Sequence, residues 1–103
     1  MIRAALLDLA GVVYDGARAL PGAVEAIARL RDASLRLRFL TNTTRVPRRE
    51  LLRRLHQMGV KLADEELFTP AQAARTWLRA KKLSPHLLVY PPLEEDFVGL
   101  SAG

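Results

Sequence analysis

Short apolar runs alternate along this chain with longer amphipathic stretches. Residues 2 to 9 (IRAALLDL) are nearly continuously apolar and end beside an acid, and length alone does not separate strand from helix there. Residues 36 to 40 read more clearly as a strand, because Leu35, Leu37 and Phe39 alternate with arginines and fall on one side of an extended chain. A third run, His86 to Tyr90, is bounded by Pro85 and Pro91 and predicts a third strand.

Between these runs the apolar period changes from two to three or four. Pro21 to Asp32 opens with proline in the first turn and spaces Val24, Ile27 and Leu30 along one helical face. Pro47 to Met58 sets Leu51, Leu52, Leu55 and Met58 against a face of arginines, and Gly59 supplies a left-handed stop. A third helix starts at Thr69-Pro70-Ala71-Gln72, where threonine caps, proline takes the first helical position and glutamine reaches back to close a capping box. Its expected apolar stripe is Ala73, Ala74, Trp77 and Leu78, with Trp77 packed in the core. The tail after Tyr90 is acidic, then glycine- and serine-containing, and is expected to hold one helical turn before fraying. Strands alternating with helices predict βαβ units: an α/β fold with three parallel strands and flanking helices.

Composition narrows the function classes. With 103 residues there is room for one small domain. The chain has no cysteine, which excludes a disulfide framework, a thiolate nucleophile and a cysteine-ligated metal, and suits a reducing compartment. The N-terminal run is too short and too charged for a signal peptide, and no apolar stretch approaches the ~20 residues of a membrane span. A cytoplasmic protein with no membrane partner is the expectation. His56 and His86 are expected at the surface, outside any set of residues with ligand spacing.

Net charge is +5, from 16 basic and 11 acidic residues, and the excess lies between Arg36 and Arg54. Such a stretch serves as a solvated helix face or attracts a phosphorylated ligand or nucleic acid. After Phe39 no aromatic residue is interleaved with these arginines, which speaks against single-strand binding.

Two polar clusters follow predicted strands, where a parallel sheet gathers its ligands. One runs from Asp8 to Gly16, and the other is Thr41-Asn42-Thr43-Thr44. If the two strands are neighbours, Asp8 and Thr41 lie side by side. A carboxylate there can attack phosphorus and form an acyl phosphate, with a magnesium ion reducing the repulsion between anions. A hydroxyl, loop amides and the start of the next helix can hold the non-bridging oxygens. From the residues alone a second reading stays equally open: Asp8 caps a turn, and Thr41 to Thr44 cap the following helix.

LLDLAGVVYDG resembles the first motif of the haloacid dehalogenase superfamily, an aspartate, any residue, a second aspartate, then glycine. RFLTNTT resembles its second motif, a strand ending in threonine or serine, and the flanking segments are similar to the NagD and para-nitrophenyl phosphatase subfamily over residues 2 to 90. The resemblance implies a Rossmann-like three-layer sandwich and a magnesium-dependent phosphatase acting through an aspartyl phosphate on a phosphorylated small molecule or phosphoamino acid. Asp8 would be nucleophile and magnesium ligand, the Ala10 backbone carbonyl a second magnesium ligand, and Thr41 with Asn42 the phosphate site. The segment from Gly11 to Leu20 would be a mobile flap.

Two departures from the family pattern matter. Ala10 stands where most members carry the aspartate that protonates the leaving group; loss of a general acid costs about 10²- to 10⁴-fold. The pyrophosphate-phosphatase branch also carries a small residue there. The family's lysine motif, acidic pair and cap domain are expected beyond residue 103, so the chain is read as the N-terminal portion of a core domain and as nearly inactive alone. With the family's strand order the first strand is an exposed apolar edge, which invites a homo-oligomer. The alternatives are a non-catalytic module that binds a phosphorylated ligand or a partner, and a nucleic-acid-binding domain using residues 45 to 54.

Overall fold

A computed structural model of the chain describes residues 1 to 100. Ala4–Asp8 (β1) and Arg36–Leu40 (β4) pair in parallel, with Ala4 opposite Arg36 and Asp8 opposite Leu40. Leu67–Phe68 (β5) joins the other edge of β4 in parallel, giving the order β1-β4-β5 and leaving the outer edge of β1 without a partner strand among the described residues. Between β1 and β4 come a two-stranded antiparallel hairpin, Tyr14–Asp15 (β2) with Arg18–Ala19 (β3), and helix Ala23–Asp32 (α1). Helix Arg48–Gln57 (α2) follows β4, and helix Pro70–Lys81 (α3) follows β5. This is the expected α/β arrangement of three parallel strands with flanking helices.

The pleat decides which residues form the core. Leu9, Leu37, Phe39 and Leu67 point to one side and are sealed by Ile27 of α1 and Leu51, Leu52 and Leu55 of α2. On the opposite side Leu6, Leu40 and Phe68 remain 68, 37 and 49 % exposed. Helix α2 keeps its expected leucine face, and Gly59 behind it has a φ of 91°. Helix α1 starts two residues later than expected, because Gly22 adopts φ 82° and turns the chain before the first helical residue. Among the described residues no helix is long and apolar enough to cross a membrane.

Three expectations fail, and the tail holds more helix than expected. The third strand is Leu67–Phe68 and not His86–Tyr90. Residues 86 to 90 do alternate between half-buried and exposed, but Leu87 and Val89 pack on a separate small cluster, and the free edge of β4 has been taken by β5. Trp77 is 56 % exposed, because α3 buries Ala71 and half-buries Arg75 and Leu78, which leaves Leu78 alone of the expected stripe packed inward and Ala73, Ala74 and Trp77 exposed. The Thr69 hydroxyl accepts from the Gln72 N–H at 3.1 Å as expected, but the Gln72 side chain accepts from Arg48 rather than closing a capping box. The tail forms a 3-10 segment, Pro91–Phe97, that buries Leu93 and Phe97 against Ala71. The expected fraying falls on Ser101 to Gly103, outside the described residues.

Candidate active site

At the carboxyl end of β1 the Asp8 carboxylate accepts from the Leu9 N–H at 2.9 Å, which orients the side chain at the strand end. The Leu9 N–H also donates to the Leu40 carbonyl at 3.0 Å, so the two strand ends are stitched together where the chain leaves the sheet. Beyond Leu9 the backbone folds into a tight turn: the Leu9 carbonyl accepts from the N–H groups of Val13 and Tyr14, and the Gly11 N–H donates to the Tyr14 carbonyl at 2.8 Å. None of these bonds uses the Ala10 carbonyl. Gly11 has a φ of 81°, a conformation costly for residues with a side chain. Val13, 2 % exposed, anchors the turn in the core, and the Leu20 N–H donates to the Val13 carbonyl. The segment expected to be a flap is thus a β2–β3 hairpin rising from this anchor.

Thr41 follows directly on β4, one residue past the partner of Asp8. Its N–H donates to the Phe68 carbonyl at 3.2 Å, and its hydroxyl oxygen accepts from the Thr43 N–H at 3.2 Å. That leaves the hydroxyl hydrogen available to donate to an anion. Asn42 is exposed on the loop, and the Thr43 hydroxyl accepts from the Arg45 N–H. The register therefore brings Asp8, Ala10 and Thr41 to adjacent chain segments at one end of the sheet.

For magnesium, the donor set here is the Asp8 carboxylate and the Ala10 carbonyl. Both are hard oxygen donors, and magnesium is commonly held by one or two carboxylates with waters completing its shell. Among the described residues no three His, Cys, Asp or Glu side chains cluster. The residues fit the ion, as part of a coordination shell.

The arginines of α2 are largely committed within the molecule. Arg53 and Arg54 both pair with Glu50, and the Arg53 guanidinium leads in holding the Glu50 carboxyl down to about 2. Arg49 pairs with Glu95 at 3.1 Å. Sequence reasoning missed two features near the loop that follows β4. One is a cavity of about 500 Å³ bounded by Thr44 and Arg45, by Ala71 and Ala74 of α3, and by Leu93 and Phe97 of the tail. The other is the set of bonds around Arg48 and Asp96; no local pattern in an acidic run singles out Asp96.

A strand-end aspartate beside a strand-end threonine on a parallel sheet is the arrangement that the resemblance to haloacid dehalogenase-like hydrolases led one to expect. The model of that family, described as haloacid dehalogenase-like hydrolase, matches residues 5–98, and the chain belongs to it. Haloacid dehalogenase-like hydrolase domain-containing protein 2 of Rattus norvegicus is 41 % identical over 100 residues, covering 97 % of this chain and 39 % of its own length. Phospholysine phosphohistidine inorganic pyrophosphate phosphatase of Danio rerio is 40 % identical over 103 residues, covering 96 and 38 %. Among solved structures, 4-nitrophenylphosphatase from Thermotoga maritima superposes with TM-score 0.83 at 26 % identity, covering 93 % of this chain and 38 % of that one. A glycerol phosphate phosphatase from Mycobacterium tuberculosis in complex with magnesium gives TM-score 0.71 at 28 % identity, covering 92 and 29 %. The chain thus spans about 38 to 39 % of the length of these curated relatives.

Proposed function

We propose that this chain is the N-terminal portion, without the cap, of the core domain of a cytoplasmic, magnesium-dependent phosphatase that cleaves a phosphoric ester or diphosphate. The observation that carries this reading is the β1–β4 register, which sets Asp8 beside the residue preceding Thr41. The phosphatase names of the relatives support it, as does the magnesium complex of the glycerol phosphate phosphatase.

In this reading the Asp8 carboxylate attacks phosphorus, the bond from phosphorus to the leaving-group oxygen breaks, and an acyl phosphate forms on Asp8. Water then cleaves the acyl phosphate, releasing inorganic phosphate and restoring the carboxylate. The Thr41 hydroxyl and the loop amides around Asn42 hold the non-bridging oxygens. The Asp8 carboxylate and Ala10 carbonyl would hold magnesium, which offsets the charge on the transferred group. Ala10 carries no proton, so the departing oxygen takes one from solvent, which favours phosphorylated small molecules or phosphoamino acids with good leaving groups. The β2–β3 hairpin closes over the site as a mobile flap. The 103 residues alone turn over slowly, having one carboxylate at the metal position and no general acid at residue 10.

The test uses beryllium fluoride with magnesium, followed by fluorine NMR, because beryllofluoride mimics a phosphoryl group on a carboxylate. A bound signal that disappears in Asp8→Asn is expected. A signal that persists in Asp8→Asn sinks the reaction and leaves a non-catalytic phospholigand module. Two copies of the chain also pair through the outer edge of β1, where Leu6 is 68 % exposed and Ile2, just before the strand, is 78 % exposed. Sedimentation should then show mass rising with concentration; a monomer throughout would refute the pairing.

A further inference from the structure

Helix α2 begins just after the loop that carries Thr41, and its first N–H groups have no partner within the helix. The residue at its N-cap is Pro47, whose side chain offers no acceptor. The missing acceptor comes from the far end of the chain. Both carboxylate oxygens of Asp96 accept from the Arg48 N–H, at 3.2 and 3.0 Å. Burial pushes the Asp96 carboxyl above its ordinary value, against the pull of that N–H. The ionised carboxylate is therefore less favoured here than in water, and it is held in place by the hydrogen bonds it receives.

Arg48 extends the connection through its side chain. Its guanidinium donates to the Leu67 carbonyl at the end strand of the sheet, to the Gln72 side chain in the first turn of α3, and to the Asp64 carbonyl. Arg75 of α3 in turn donates to the Asp96 carbonyl at 3.4 Å and to the Val98 carbonyl. One residue at the exit of the loop thus joins α2, β5, α3 and the tail. The Arg48 amide, at the helix end assigned from sequence to the ligand, is already engaged by the protein's own carboxylate.

We propose that Asp96 is a positioning residue for the phosphate loop, capping α2 from 48 residues away and fixing where the loop from Thr41 to Pro47 meets the helix. This rests on the reading of that loop as the phosphoryl site. Asp96 touches no reacting atom and acts through the Arg48 backbone.

The experiment measures amide hydrogen exchange by NMR in the 103-residue chain, with inorganic phosphate and magnesium titrated separately. Asp96→Ala should raise exchange at Arg48 and at Thr41 to Arg45 about fivefold to tenfold, the loss typical of a removed cap. Phe39 and Leu55 should keep wild-type rates, and phosphate affinity should fall several-fold. Asp96→Asn keeps one acceptor and should recover most of the difference, while Glu94→Gln, an exposed neighbour, should change nothing. Unchanged exchange at Arg48 in Asp96→Ala overturns the proposal, and so does an equal rise at Phe39 and Leu55, which would mark a loss of global stability. If the loop loosens in Asp96→Ala but phosphate perturbs none of Thr41 to Thr44 in the unsubstituted chain, the cap stands and the phosphoryl-site reading falls.

Discussion

Two apolar clusters hold this chain, and they are built differently. The larger joins eleven buried side chains from β4, β5, α1, α2 and the segments that follow β1 and α2, and its centre is sealed by Phe39, Leu37 and Leu55. The smaller consists of Ala71, Leu93 and Phe97, with Leu78, Leu87 and Val89 packed partly against it. Three buried residues cannot by themselves fix a segment, and the tail is attached by polar clips as well: Asp96 on Arg48, Glu95 on Arg49, and Arg75 on two tail carbonyls. The strand ends bearing Asp8 and Thr41 belong to the first cluster, and the residues that shape the loop's surroundings belong to the second. A phosphoryl site at that loop, as proposed, would have its floor on the larger cluster and one wall on the smaller.

Phe39→Ala and Phe97→Ala probe that division most strongly. Phe39→Ala empties the centre of the large cluster and should cost about 3 to 5 kcal/mol in a denaturant melt, enough to unfold a domain of this size. Phe97→Ala, at a site with a surface to collapse onto, should cost about 3 kcal/mol, the low end of that range. It should leave the exchange protection of Phe39 intact while loosening residues 87 to 97. Equal losses from the two variants would mean that the clusters unfold as one unit.

A smaller effect sharpens the picture of the large cluster. Arg31 of α1 forms a two-pronged pair with Glu66, both contacts at 2.8 Å, and Glu66 also accepts from the Ala63 N–H. The Arg31 guanidinium holds the Glu66 carboxyl below its ordinary value. A carboxyl depressed in the folded state contributes stability above its unfolded value near 4.5 and loses it as pH falls through the folded value. Glu66→Gln should therefore cost about 1 kcal/mol at neutral pH, and the difference from the unsubstituted chain should vanish in acid. A gap that stays constant down to pH 2 would show that the pair contributes nothing through charge.

The large cluster was legible from sequence, and the small one was not. Alternation in Leu35, Leu37 and Phe39 and the leucine face of α2 are local patterns set by burial on one side, and both elements lie where expected. The strand Leu67–Phe68 is two residues long and has no periodicity to read; it exists because β4 offers it an edge. Residues 86 to 90 have the pattern of a strand without a partner. The face of α3 was misread because Leu93 and Phe97 choose Ala71, and nothing near Trp77 in the sequence announces that choice. The neighbouring positions of Asp8 and Thr41 followed from pairing the apolar run that ends at Asp8, by itself open between strand and helix, with the readable strand that precedes Thr41. Asp96 was not legible, since its partner is an amide 48 residues away.

The uncovered side of the sheet sets how this polypeptide behaves as a colloid. Leu6, Leu40 and Phe68 are exposed there with Arg38 and Asp8 between them, on a molecule whose excess of positive charge opposes the approach of its copies. Electrolyte shortens the reach of that repulsion to about 8 Å at physiological strength, while leaving the attraction between exposed apolar side chains in place. Dilute buffer is thus the condition in which the dispersed state persists longest, and salting-out follows from the same three side chains.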